Sequence, residues 1–313
     1  MPERATELEI PFTQQMAHKV GPEEIDIAYQ RIGDVGAPVV LLIMGVASQS
    51  IRWPDGFCRA LVKQGLQVIR FDNRDSGLST HMTLAPVPDL PAALAGDYSS
   101  ASYTLSDMAT DAIGLLDVLG IQKAHVVGAS MGGQVAQVMA TDHPNRILSL
   151  TSMMSTTGSR TVGHTSPDVL RELFSGAPAT TRDEYIQLYV RASRVVGSPA
   201  FPSDENEVAA NAGRAFDRSY DLLGASRQAV ATVASGDRTE QLRKLQVPTL
   251  VIHGLADRMC DVSGGRATAE AIPNAELVLI EGMGHNLPPG LHGRLAGQIG
   301  EFIWRVERQQ DHL

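Results

Sequence analysis

The pattern that most constrains this chain is a recurrence of short, continuous apolar runs, most of them followed by a helical pattern. "VVLLIMG" (Val39–Gly45), "LQVIRFD" (Leu66–Asp72), "AHVVGAS" (Ala124–Ser130), "ILSLTSMMS" (Ile147–Ser155), "VPTLVIHG" (Val247–Gly254) and "AELVLIEG" (Ala275–Gly282) are such runs. A strand that is apolar throughout belongs in the middle of a parallel sheet, with helices over both faces. Helical patterns fall at Trp53–Gly65, Ser102–Gly120, Met131–Asp142, near Val262–Ala271 and near Leu291–Arg308. This alternation predicts an α/β fold with a mostly parallel sheet.

Two earlier strands are expected around Gln15–Val20 and at Glu24–Gly33, the second alternating apolar and polar residues as a half-buried strand does. Val35–Pro38 reads as a turn. Asn73–Ala101 reads as a loop, because Pro86, Pro88 and Pro91 disfavour regular structure. From about Thr156 to Leu242 no central strand is visible, which suggests a helical insertion of about 85 residues, the size of a small subdomain. The predicted organisation is a discontinuous core (residues 15–155 and 243–310), a helical cap (156–242) and an N-terminal extension (1–14).

Composition excludes several function classes. The chain has 313 residues, 43% hydrophobic and 19% charged, a globular profile. Its net charge of −9 leaves no basic face for nucleic acid. No apolar run is long enough to span a bilayer, and "MPERATELEIPF" does not read as a signal peptide. Two cysteines, Cys58 and Cys260, then suggest reduced thiols in a cytoplasmic protein. No H-E-x-x-H pair, Walker loop or G-x-G-x-x-G is present, so no metal or nucleotide cofactor is expected.

The chemistry concentrates in "HVVGASMGGQVAQVMA" (His125–Ala140). With 29 glycines, a G-x-S-x-G can arise by chance, so its context decides. Here it joins a buried strand to a helix, the setting that holds a serine out as a nucleophile at a helix N-terminus. A serine hydroxyl needs a base, and the base an orienting acid. Of the nine histidines, His125 lies at the far end of the serine's own strand, His143 ends a helix, and His253 sits inside a strand. His18, His81, His164, His292 and His312 have loop or surface settings. His285, in "EGMGHNLPPG", sits in a Gly/Pro-rich loop just after a strand, where function gathers in open α/β sheets. The acid should follow the preceding strand, and "VIHGLADRMCDV" offers Asp257 and Asp261. Asp257 is at the strand end, whereas Asp261 suits a cap for the next helix. The order Ser130, Asp257, His285 is the nucleophile–acid–base order of α/β-hydrolases.

On "GASMGG", "HGLAD" and "GMGHN" the chain resembles an α/β-hydrolase from about Gln15 to Arg308. "FDNRDSGLS" (Phe71–Ser79) is similar to the family's D-x-R-G-x-G-x-S loop, with Asp75 where glycine is usual, and is read as structural. "LLIMGVASQSIRWPDGF" and "VIRFDNRDSGLST" resemble the esterase branch that includes anthracycline methylesterases and bacterial carboxylesterases. The resemblance implies an oxyanion hole made by the N–H groups of Val46 and Met131. It departs at Met44-Gly45, where many members carry His-Gly, which leaves the donor open between Gly45 and Val46 and puts Met44 beside the substrate.

These features predict a serine carboxylester hydrolase for small to medium, fairly apolar esters, needing no cofactor. Its partner would be a small-molecule ester, and the protein a monomer or homodimer. Lactonases, C–C bond hydrolases and cofactor-free perhydrolases share the pattern, as would a slow-turnover ligand receptor. Dehalogenases and epoxide hydrolases of this fold carry aspartate at the elbow, so Ser130 argues against both. Met44, Met131, Met153, Met154, Met259 and Met283 fall near strand ends, as core filler or as lining of an adaptable pocket.

Overall fold

The computed structural model describes residues 12–174 and 176–310. Residues 1–11 of the expected N-terminal extension, and His312, lie outside the described residues. The chain runs β1 (Gln14–Val20), β2 (Ile25–Ile32), β3 (Val39–Ile43), α1 (Asp55–Lys63), β4 (Gln67–Phe71), α2 (Leu90–Leu94), α3 (Leu105–Val118), β5 (Ala124–Ala129), α4 (Met131–Asp142) and β6 (Ile147–Met153). Five helices follow without a strand among the described residues: α5 (Pro167–Phe174), α6 (Arg182–Val196), α7 (Glu205–Arg218), α8 (Leu222–Ala234) and α9 (Thr239–Leu242). The chain then returns through β7 (Thr249–Gly254), α10 (Ser263–Ala271), β8 (Glu276–Ile280) and α11 (His292–Gln310).

The strands form one 8-stranded sheet in the order β1-β2-β4-β3-β5-β6-β7-β8. β1 and β2 pair antiparallel and β2 meets β4 antiparallel, while every later pairing is parallel. The burial of β3, β4, β5 and β7 follows from helices on both faces. α3 and α4 cover one side around Leu41, Val126 and Leu150, and α1 and α11 cover the other around Leu42, Val127 and Ile252. Because these strands are parallel, the loops after β3, β5, β7 and β8 open at one edge of the sheet.

Two expectations are corrected. The proline-rich loop contains a short helix, α2, with Pro91 in its first turn and Asp89 accepting the Ala92 N–H at 2.9 Å. A first-turn proline lacks only an N–H that has no helical partner, so it is tolerated there. The strand before His285 is also less buried than its apolar letters suggest. β8 is last in the sheet order, and only its final residue, Ile280, is fully buried.

The loop after β4 is tied into the core by charge. Arg74 Nε and Nη2 donate to both oxygens of Asp111 on α3, at 2.6 and 2.8 Å. Both side chains are almost wholly buried, with Glu23 at 3.3 Å as a second partner for Arg74. Cys58 and Cys260 are free and buried, and burial pushes the Cys58 thiol up to about 12. Among the described residues no helix is long and apolar enough to cross a membrane. Removing one partner of a buried ion pair strands the other charge, at a cost of about 3–5 kcal/mol. Asp111→Ala leaves Arg74 with Glu23 alone and should lower the unfolding free energy, read from urea titration, by about 3 kcal/mol, whereas replacing an exposed partner such as Asp217 should cost under about 1 kcal/mol.

Candidate active site

Ser130 occupies the single residue between β5 and α4, with φ +57° and ψ −123°. This is a costly conformation for a side chain with a Cβ, and it persists only when the surroundings over-determine it. Here they do. The Ser130 N–H donates to the Met153 carbonyl at 3.0 Å. The Ser130 carbonyl accepts from Gly133 N–H at 2.9 Å and from Ser155 Oγ at 2.7 Å. The flanking glycines are needed for clearance: a β-carbon at Gly128 would lie 2.0 Å from the Gly132 carbonyl oxygen, and one at Gly132 would lie 2.0 Å from that of Ile43.

Asp257 and His285 follow β7 and β8. Asp257 Oδ2 lies 2.7 Å from His285 Nδ1, and its Oδ1 accepts the N–H groups of Met259 and Cys260, each at 2.9 Å. Burial alone would raise this carboxyl's pKa. The charge of His285, with hydrogen bonds from His285 and Cys260, outweighs burial and holds the carboxyl well below the usual carboxylate range. His253 Nε2 is 3.5 Å from the same oxygen but bonds the Cys260 carbonyl at 2.8 Å. Asp261 instead accepts the Ser263 N–H at 3.0 Å, at the start of α10. The His285 loop is fastened to the end of α6 and the residues just after it: His285 N–H donates to the Val196 carbonyl at 2.7 Å, and Gly284 N–H to Ser198 Oγ at 2.9 Å.

Two further histidines have partners of their own. His125 is buried between Ser149 at 2.8 Å and Glu307 at 3.0 Å, and burial pulls its pKa down to about 4. His81 bonds Asp221 at 2.8 Å. With Asp75 these two form a group of metal-ligand type, yet Arg227 already bridges Asp75 and Asp221 with its own positive charge.

Met44, Gly45, Val46 and Ala47 form the loop after β3. Gly45 is pressed against the elbow, since a β-carbon there would lie 3.0 Å from Ser130 Cβ. Among the described residues the Val46 N–H has no partner, and that of Met131, in the first turn of α4, has none either. Ser130 and His285 share a cavity of about 1690 Å³, although no direct hydrogen bond joins them. Its walls mix Met44, Val46 and Tyr189 with Arg52, Glu172 and Arg191. Met154 and Met259 also line it, whereas Met131, Met153 and Met283 are buried in the core.

The family model for the alpha/beta hydrolase fold matches residues 38–288, and the chain belongs to this family. It is similar to the rhodomycin D methylesterase of Streptomyces sp. (strain C5), with 29% identity over 88% of this chain and 94% of the relative. It is 31% identical to the 2-hydroxymuconate semialdehyde hydrolase of Pseudomonas putida, over 61% of this chain and 64% of that one. Among solved structures, an esterase from Thermogutta terrifontis superposes with a TM-score of 0.70 at 23% identity, covering 94% of this chain and 99% of the other.

The lowered pKa of Asp257 has a consequence for acid stability. A carboxyl whose folded pKa lies below its unfolded value, about 3.9, adds stability that is full above that value and fades as pH falls below it. Asp257→Asn should therefore destabilise the protein more at about pH 7 than at about pH 3, and urea unfolding at both pH values tests this. A gap between wild type and variant that widens toward acid would be the contrary result.

Proposed function

We propose that this chain is a serine carboxylester hydrolase that works through an acyl-enzyme. The enzyme is an ester-acting hydrolase, and the support for the mechanism is geometric. A strained serine at a strand–helix junction shares one cavity with a histidine whose Nδ1 is held 2.7 Å from a buried carboxylate. That bond orients His285 and leaves its Nε2 facing the task of a base. In the proposed cycle, His285 Nε2 takes the Ser130 hydroxyl proton as Oγ attacks the ester carbonyl. The oxyanion is met by the Val46 and Met131 N–H groups, which need no side-chain chemistry. His285 then gives its proton to the departing alcohol, and a water that it activates releases the acid. Asp257 stabilises the imidazolium and stays ionised throughout. Asp261, tied to α10, takes no part.

The helices between Met153 and Thr249 form the cap in this reading, and the remaining segments the catalytic core. Residues of α6 and α7, among them Leu188, Tyr189 and Glu207, line the cavity with those of the elbow. A cavity of about 1690 Å³ exceeds the usual range of about 300–1,000 Å³, which supports room for esters at or beyond the upper end of the small to medium ones expected from the sequence. The relative named rhodomycin D methylesterase supports ester cleavage. Similarity to a 2-hydroxymuconate semialdehyde hydrolase supports a second reading, C–C bond cleavage by the same residues. The proposal has the enzyme cytoplasmic, a monomer or homodimer, and without cofactor.

Ser130→Ala should abolish turnover of esters while leaving the unfolding midpoint near wild type, since alanine keeps the β-carbon and the backbone turn at this position is unchanged. A serine-directed organophosphate should label Ser130 alone, read by peptide mass spectrometry. Near-normal activity in the alanine variant would exclude the mechanism. Asp257→Asn should lower kcat by about 10⁴-fold, as misorienting the histidine does in the best-studied serine protease. Asp261→Asn should leave kcat close to wild type and cost at most about 1 kcal/mol of stability. A panel of esters and vinylogous keto acids, compared by kcat/KM, separates the ester reading from the C–C one.

A further inference from the structure

The loop that carries the Val46 N–H is held at both ends. On one side, Asn73 Nδ2 donates to the Met44 carbonyl at 3.0 Å. On the other, the Ala47 N–H donates to Gln228 Oε1 at 2.8 Å, and Gln228 Nε2 donates to the Arg74 carbonyl at 2.7 Å. Gln228 lies on α8 and is fully buried. Ala47 takes the left-handed conformation, with φ +56°, which costs a residue with a Cβ free energy unless something holds it there. A single amide thus bridges the loop after β3 to the loop after β4, from a helix about 180 residues further on. Two residues, Gly45 and Val46, are left between the clamps.

The register of α8 is set next to Gln228. Arg227 donates from Nε and Nη2 to both oxygens of Asp75, each at 2.8 Å, in a buried bidentate pair. Asp75 is itself left-handed, with φ +62°, at the position where glycine is usual in the resembling loop. Its oxygens also accept the Met82 N–H and the Tyr103 hydroxyl, each at 2.8 Å. The helix approaches this loop so closely that a β-carbon at Gly224 would lie 2.6 Å from the Asp75 carbonyl oxygen.

We infer that Gln228 is a positioning residue that fixes the direction of the Val46 N–H through Ala47, with the Asp75–Arg227 pair holding α8 where that amide can reach. The inference rests on the proposed esterase reading. A purely structural role would fasten α8 to the core and nothing more. The two roles differ in what they do to the transition state. A donor that is misdirected by about 1 Å weakens only the state in which negative charge has formed, at a cost of about 10²-fold.

The test is Gln228→Met, which keeps length and apolar volume but removes both hydrogen bonds. Three quantities are measured on folded protein: kcat, KM, and the inhibition constant of a trifluoromethyl ketone analogue of the best ester, whose adduct with Ser130 bears an oxyanion. Binding of the intact ester is measured in a Ser130→Ala background, with and without Gln228→Met. The expected result is a parallel loss of about 10–10²-fold in kcat and in ketone affinity, with KM and ester binding changed less than about threefold. Gln228→Glu keeps an acceptor for the Ala47 N–H, so its kcat should lie between those of wild type and Gln228→Met. If Gln228→Met does not fold, the same paired loss in kcat and ketone affinity is sought in Gln228→Glu. Wild-type kcat in the methionine variant, or weakened ester binding with unchanged ketone affinity, overturns the positioning role. If wild type is active and labelled at Ser130, that failure touches this inference alone. If wild type hydrolyses no ester and Ser130 resists labelling, the esterase reading fails and takes this inference with it.

Discussion

The close approach of α4 to the end of the sheet is the constraint on which the site depends. There is no room for a β-carbon between Gly128 and Gly132, or between Gly132 and the Ile43 carbonyl. The helix can therefore begin one residue after β5, and Ser130 must turn through a left-handed φ to make that junction. The same contact brings the first free N–H of α4 beside the loop that follows β3. The left-handed serine and the helix terminus are consequences of one steric fact, and the small residues in "GASMGG" are its record in the sequence.

That record is why the elbow and the central strands were legible. Continuous apolar runs report a strand covered on both faces, and β3, β4, β5 and β7 are such strands. The edge is where the reading failed, because "AELVLIEG" has core-like letters on a strand with only one neighbour. The local logic also separated the two aspartates by position: Asp257 follows β7 by three residues, while Asp261 precedes a helix and receives the Ser263 N–H. α2 is hidden among prolines because a proline opposes helix only in its interior, and Pro91 occupies the first turn.

What connects the helices after β6 to the core could not be read from the letters. Gln228 looks like any polar residue on an amphipathic helix, and Arg227 like a solvated cation. Nothing local announces that Gln228 bridges two loops more than 150 residues away, or that Arg227 is matched to Asp75. These bonds depend on where separate elements meet, and that depends on the whole packing. The one visible trace was the aspartate at position 75, an oddity within the resembling loop whose partner lay out of sight. The contacts of this loop go beyond a structural floor: Asn73, Arg74 and Asp75 each touch either the segment after β3 or α8.

The Asp75–Arg227 pair makes the two parts of this molecule poor candidates for exchange. A stretch spanning α5 to α9, transplanted onto a sister scaffold with glycine at the position of Asp75, would carry in a guanidinium that has lost its bidentate buried partner and keeps only Asp221, at 3.3 Å. The reciprocal chimera would bury a carboxylate instead. Either hybrid is penalised before any substrate is met, because a buried charge that loses its main partner is costly whatever the surrounding shape. Modular recombination in a scaffold of this kind has to move two distant codons together.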